Sequence, residues 1–402
     1  MKKTLMAVTL LAAGASQASG LAIDTQSGRA TGMGSTGVAS AQDASAIFYN
    51  PAGILGVNKL DAQLGDALIL VNLGFTPEGG TEQTQNTVSP PPHAYFVYKF
   101  TEQLGAGIGV FTPFGANSRW PDDFVGRQIA LASSVSTFDI NPTLGFAPVR
   151  WLRIGAGAQI VYGMVELQRQ LAFGAGIPEG SLQLTTDAWG FGFNAGVQAD
   201  VLPGLLTLGA TYRSRVGMNT EGDADFEGIP PGLPAPVAAS LVDQPVTLDV
   251  TLPATVGLGV AFTPTQRLTL AVDANWVEWS TIQELLFEFQ TAPALNEPAP
   301  KRWRDTWNFH VGGEYKATDA LALRLGFIYD PSPTPEETLT PDLPDADRLN
   351  FSAGVGYAVS HFRADLGYQF VLLQDQRSTA EELPGTYSGS AHVIGLTLGY
   401  SR

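Results

Sequence analysis

From about residue 59 onward the chain alternates apolar with polar or glycine residues at a period of two. In "WGFGFNAGVQADV", Trp189, Phe191, Phe193, Ala195, Val197, Ala199 and Val201 share one face, and Asn194, Gln198 and Asp200 lie among glycines on the other. "WLRIGAGAQIVYGM" sets Leu152, Ile154, Ile160, Tyr162 and Met164 against Arg153 and Gln159. "DTWNFHVGGEY" sets Trp307, Phe309, Val311 and Tyr315 against Asn308, His310 and Glu314. "HFRADLGYQFVL" sets Phe362, Leu366, Tyr368, Phe370 and Leu372 against His361, Arg363, Asp365 and Gln369. Successive strand side chains point to opposite faces, so each segment reads as a strand with one apolar and one polar face. Roughly fourteen such segments fit between residues 59 and 402, an even number as bacterial membrane barrels use.

Two architectures use this pattern. A soluble sandwich turns the apolar faces inward. A membrane barrel turns them to lipid and lines its lumen with polar residues and glycine. Several runs exceed the nine to eleven residues that a tilted strand needs to cross a bilayer. Aromatic residues cluster near strand ends, as at Trp276 and Trp279 or Tyr368 and Phe370, where interfacial girdles form. The proline- and acid-rich stretches 221–245, 291–301 and 331–347 read as extracellular loops. The pattern therefore predicts an all-β transmembrane antiparallel barrel of about 14 strands over 59–402.

The N-terminus supports export. Lys2 and Lys3 precede a short apolar run, Leu5 to Ala15, and small residues then favour cleavage after Ala18. Residues 1–18 read as a signal peptide, because the apolar run is too short to anchor in a bilayer. No later run has eighteen consecutive apolar residues, so no transmembrane helix is expected. Cysteine is absent, so disulfides do not hold this exported chain. Losing Lys2 and Lys3 takes the formal charge from −16 to −18, which argues against nucleic acid as a partner.

Enzyme signatures are weak. No G-x-S-x-G elbow occurs, which counts against an outer-membrane hydrolase. His93, His310, His361 and His392 are scattered, with no spacing for zinc; lumen hydrogen bonds explain His310 and His361. "GAGIG" at 105–109 lacks the following helix of a dinucleotide site. "PDLPDADR" reads as a solvated loop sooner than a calcium site. Neither metal nor cofactor is expected. An open aqueous porin is a further transport alternative.

"LGAGIGVFTPFGANSRW" begins as a strand and meets Pro113 and Gly115. Proline removes a ladder donor and glycine a packing side chain. Either the strand ends there, or it kinks within the wall and opens a side door to lipid.

These residues bring a family into view. The chain resembles the FadL/TodX-type outer-membrane transporters of long-chain fatty acids and other hydrophobic compounds. The matching stretches include "ATGMGSTGVASAQDASAIFYNPAG", "VFTPFG" at 110–115, "TYRSRV" at 211–216 and "RDTWNFHVGGEY" at 304–315. The resemblance implies a hatch, residues 19–58, folded into the lumen, with Asn50, Pro51 and Ala52 matching the family's Asn-Pro-Ala motif. It implies passive passage of a hydrophobic ligand to a pocket above the hatch and exit at a kinked third strand, here Phe111 to Gly115. By the same resemblance, Arg169, Lys301 and Arg302 become candidates for a carboxylate head group, and Phe48, Tyr49, Phe111 and Phe114 for the apolar lining. A long-chain fatty acid, or alternatively an aromatic or alkane hydrocarbon, is then the expected ligand. Outer-membrane lipid and lipopolysaccharide are the expected surroundings, and the barrel is expected to be a monomer.

Overall fold

The computed structural model describes residues 20–402; the expected leader and its cleavage point lie outside the described residues. Fourteen antiparallel strands close into a barrel. In chain order the first seven are Leu60–Pro77, Gln83–Ser89 with Pro92–Lys99, Leu104–Phe111 with Gly115–Arg119, Ala132–Val149, Leu152–Leu171, Gly180–Leu202, and Leu206–Arg213 with Val216–Glu227. The second seven are Gln244–Leu252 with Thr255–Thr265, Leu268–Val277, Thr306–Lys316, Leu321–Asp330, Arg348–Val359, Phe362–Ser378 and Gly385–Ser401. Four strands are thus each built from two segments. The last strand pairs with the first from Asp61↔Ser401 to Pro77↔Gly385, so no edge remains. Closure matters because the bilayer offers no partner to an unpaired N–H or C=O.

The alternation resolves as a barrel, not a sandwich. Phe191 and Leu325 are each 70 % exposed on the outer face, whereas Asn194, Gln198, His310 and Gln369 are buried inside. Phe100, Trp151, Tyr357 and Phe362 stand exposed beside the short turns at one end, where an aromatic belt meets the interface. The long connections gather at the other end. Strands there run further than the periodicity suggests, since Val216–Glu227 and Gln244–Leu252 leave only 228–243 as loop.

Three sequence expectations are corrected. Trp279 is not part of a girdle: it is 1 % exposed and packs inside against Trp303, with ring centroids 5.3 Å apart. "PDLPDADR" is not a solvated loop. Leu343, Asp345, Ala346 and Arg348 are buried, because the apolar residues fold into the lumen and Asp345 finds Arg348 and the Ser332 hydroxyl, the latter at 2.6 Å. His361 sits exposed in the turn before the thirteenth strand and meets the Ser401 carbonyl at 3.0 Å, so its hydrogen bond lies outside the lumen.

Residues 20–57 lie within the barrel and are almost wholly buried. They form two short helices, Gly28–Gly32 and Ala46–Tyr49, and a 3-10 turn, Pro51–Gly56. Such short helices are unstable alone; the wall holds them. The inward glycines of the alternating strands make room, since a Cβ on Gly155 would strike Pro51 and one on Gly196 would strike Asn50. The Asn50 Nδ2 donates to Val38 O at 2.7 Å and, across to the wall, to Val197 O at 3.0 Å and Ala210 O at 3.2 Å. Its Oδ1 accepts from Ala52 N at 3.1 Å and so caps the 3-10 turn.

Charge fixes the other end. Arg29 pairs with Glu314 at 3.1 Å, and Glu314 with Arg324 at 2.7 Å. Arg363 bonds Asp61 at 3.1 Å and lies 3.8 Å from Asp43. Burial pushes the Asp43 carboxyl up, but Arg363 and Arg29 pull harder and hold it below the usual carboxylate range.

Candidate functional site: an outer groove, a kinked strand and an inner cavity

The third strand breaks where proline and glycine place the break. Its lower half pairs with the second strand from Lys99↔Gly105 to Ala94↔Val110. No ladder joins the two strands above that point. On the other side Phe111 faces Asp139 and Gly115 faces Ser136, so three residues, Thr112 to Phe114, stand opposite two. This is a bulge, which bends its strand. Only side chains span the gap at the outer end, where Gln85 Oε1 accepts from Arg119 N and the Thr87 hydroxyl lies 3.5 Å from Asn117 O.

The groups freed by the bulge are not left bare. Ile23 N donates to Pro113 O at 2.9 Å, and Gly115 N donates to Leu21 O at 2.8 Å. Gln26 Nε2 donates to Thr112 O at 2.6 Å. The Thr137 hydroxyl donates to Phe114 O at 2.6 Å. The N-terminal segment therefore replaces the missing neighbour strand and gives partners to the backbone groups Thr112 O, Pro113 O and Gly115 N.

Beside the gap the inner wall is apolar. Ile69, Val71, Leu73, Val371, Leu373 and Val393 face inward around Ile23. A sequence signal for this exists in "ALILV", residues 67–71, where both faces of the strand are apolar and strict alternation fails.

Above lies a groove of about 760 Å³ at the outer end. Val165, Leu167, Leu184, Leu285, Phe287 and Leu295 supply its apolar wall. Arg169 and Lys301 both line it. They differ in freedom. The Lys301 Nζ donates to Asp342 Oδ2 at 2.6 Å and Thr340 Oγ1 at 2.9 Å. Burial raises the Asp342 carboxyl, but Lys301 outweighs it and the net shift is downward. Arg169 is half-buried, makes no ion pair within 4.0 Å among the described residues, and its Nε has no hydrogen-bond partner there. Arg302 is exposed and does not line the groove; its φ of 50° turns it outward after Lys301.

Lower down, an inner cavity of about 80 Å³ lies between the N-terminal segment and the wall. Phe48, Tyr49 and Phe114 line it, as do Pro113 and Arg213. Phe111 lies behind this lining, fully buried and edge-on to Phe48 at 5.3 Å. Arg213 is the residue the sequence reading missed. Its guanidinium lies 5.3 Å over both Phe48 and Phe111 and bonds Asp139 at 2.8 Å and Gln159 at 2.7 Å. One of two arginines within "TYRSRV", Arg213 gives no hint that an acid three strands away awaits it. Among the described residues no group of three or more His, Cys, Asp or Glu is placed to hold a metal ion.

A closed membrane barrel with a chain segment inside it, a gap in one wall and apolar spaces on both sides defines a conduit for molecules that avoid water. Residues 9–401 match the family model described as outer membrane protein transport protein (OMPP1/FadL/TodX), and the chain belongs to that family. It is a passive outer-membrane transporter of hydrophobic compounds and not an enzyme. Among relatives, it is 25% identical to the "47 kDa outer membrane protein" of Pasteurella multocida, over 99% of this chain and 98% of that one. It is 23% identical to the "Long-chain fatty acid transport protein" of Escherichia coli K12, over 90% of each. Its fold is like that of a Pseudomonas aeruginosa FadL homologue, with a TM-score of 0.86 at 22% identity, covering 95% of this chain and 99% of that one. It is also like the P. putida toluene transporter TodX, with a TM-score of 0.74 at 18% identity, covering 94% and 98%.

Proposed function

We propose that the protein carries long-chain fatty acids from the outer groove to a lateral exit at the third strand. The observation that carries this reading is Arg169, a cation that makes no ion pair within 4.0 Å among the described residues and stands beside the groove's apolar wall. A carboxylate supplies that partner, and its alkyl chain covers the apolar wall. The ligand then moves inward past the N-terminal segment, which acts as the hatch over 19–58. It leaves between the second and third strands, around Pro113 and Gly115, directly into lipid. Exit into lipid spares an alkyl chain exposure to water. Lys301 braces the groove through Asp342, and Arg302 faces lipopolysaccharide. The barrel works as a monomer, since its wall is closed without a partner.

A second reading, a neutral hydrocarbon as ligand, rests on a different observation. Six acids, Glu166, Glu297, Glu337, Asp342, Glu381 and Glu382, line the groove against Arg169 and Lys301. That excess repels anions at long range. The two readings separate on binding of oleate and of hexadecane to the purified protein, each with and without Arg169→Ala. The fatty-acid reading expects the substitution to weaken oleate about tenfold, as for loss of a charge-assisted hydrogen bond, and to leave hexadecane unchanged. Equal affinities indifferent to Arg169 would select the hydrocarbon.

A further inference from the structure

The inner cavity differs from the groove in one respect that bears on the ligand. Its apolar side is made by Phe48, Phe114 and Val277, but its polar side carries Asp24, Asp273 and His310. Its one arginine is already engaged, since Arg213 bonds Asp139 and Gln159. His310 is engaged too, with Nδ1 2.8 Å from Gly34 O and Nε2 3.0 Å from Asn308 Oδ1; Asp24 Oδ2 lies 3.9 Å away. Tyr49, also in the lining, donates its hydroxyl to Asp24 O at 2.7 Å. Asp273, 1 % exposed, accepts at Oδ2 from Gly37 N at 2.7 Å and Val38 N at 2.9 Å. Its Oδ1 is buried and has no hydrogen-bond partner among the described residues.

We infer that the inner cavity admits only an uncharged head group, and that a fatty acid passes it protonated, donating its O–H to the Asp273 Oδ1. A buried acceptor left without a donor is costly, and a ligand that brings one relieves it. A carboxylate brings none. It would also enter beside two carboxyl groups, out of water, with no uncommitted cation to offset it. The head group takes its proton from water in the outer groove, becoming COOH from COO⁻ and H⁺, and no bond to the protein forms or breaks. An alcohol of equal length meets the same acceptor without that step. The inference rests on the fatty-acid reading of the groove and assigns Asp24 and Asp273 as residues that set specificity behind it.

The test compares oleic acid with oleyl alcohol in vesicles carrying the full protein, with transfer into protein-free vesicles subtracted. Between pH 6 and 8, acid transfer should fall about tenfold per pH unit, as the protonated fraction does above an ordinary carboxyl pKa. Alcohol transfer should stay level. Asp273→Asn keeps an oxygen for Gly37 and Val38 but replaces the unpartnered Oδ1 with an amide NH2, which donates to a carboxylate instead of accepting from an acid. Asp24→Asn alters no side-chain hydrogen bond in the structure and guards against a folding artefact. Each should raise the acid-to-alcohol ratio at pH 8 by about fivefold or more. An acid rate level with pH, or a ratio that Asp24→Asn leaves unchanged, overturns the inference. Failure of the groove reading looks different: oleate binding would then be indifferent to Arg169→Ala, whatever the ratio at the cavity.

Discussion

Replacing Pro113 with Val and Gly115 with Thr should slow protein-dependent uptake of a hydrophobic tracer about tenfold or more, roughly 1.4 kcal/mol on the rate-limiting step, while the barrel still folds. The substitutions restore what a continuous strand lacks here. Valine brings back an N–H, and both residues favour the extended conformation over the bulge. A straight third strand could extend its ladder with the second beyond Ala94↔Val110, where pairing now stops. The N-terminal segment would then lose its backbone bonds to Pro113 O and Gly115 N. Fourth-strand pairing on the far side supports folding in either register. Tracer uptake into proteoliposomes, beside a heat-modifiability gel that reports the folded barrel, reads both quantities. Uptake within twofold of the unaltered protein would count against passage at this strand.

The second large effect is on stability. Asp139→Ala should destabilise the protein by about 3 kcal/mol, measured by urea unfolding in lipid vesicles. Asp139 is fully buried and the Arg213 side chain is 8% exposed. Removing the acid leaves the guanidinium, among the described residues, with Gln159 Oε1 and Phe48 O as its acceptors. The charge also bridges Phe48 of the N-terminal segment to Phe111 of the third strand, a contact that depends on the cation being held in place. The exposed pair Arg377–Glu78, 64% and 59% exposed, is the contrast. Arg377→Ala should cost no more than about 0.5 kcal/mol, as surface pairs in water do. Equal effects at the two sites would mean that the lumen is as well solvated as the surface.

Period-two alternation was enough to read the barrel, because lipid and lumen act on every strand separately and locally. Trp307, Phe309 and Val311 face out, and Asn308 and His310 face in, as their spacing dictates. The break at Pro113 and Gly115 was legible for the same reason, since proline and glycine act on their own backbone. Contacts across the lumen were not legible. Gly20 N meets Asp345 across a separation of 325 residues, and Arg29 meets Glu314 across 285. Nothing local marks Asp345 as buried, Trp279 as internal or Arg213 as neutralised. The threading of the N-terminal segment, with Gly20 against Asp345 and Trp279, sets the first two, and pairing with Asp139 three strands away sets the third; alternation carries no information about either. The groove was half legible. Resemblance pointed to Arg169, Lys301 and Arg302 alike, but only assembly separates the cation without a close ion pair from the braced one and from the one outside.

Photolabelling with a diazirine-bearing fatty acid during uptake tests the route most directly. The label should be recovered on the gap residues, Thr87 to Pro91 and Thr112 to Gly115, as well as in the outer groove, and should leave the gap in the Pro113→Val, Gly115→Thr protein. Label on Arg153, Asp200 and Arg363, which line the polar cavity at the opposite end, with none at the gap would show passage straight through the barrel and contradict lateral exit.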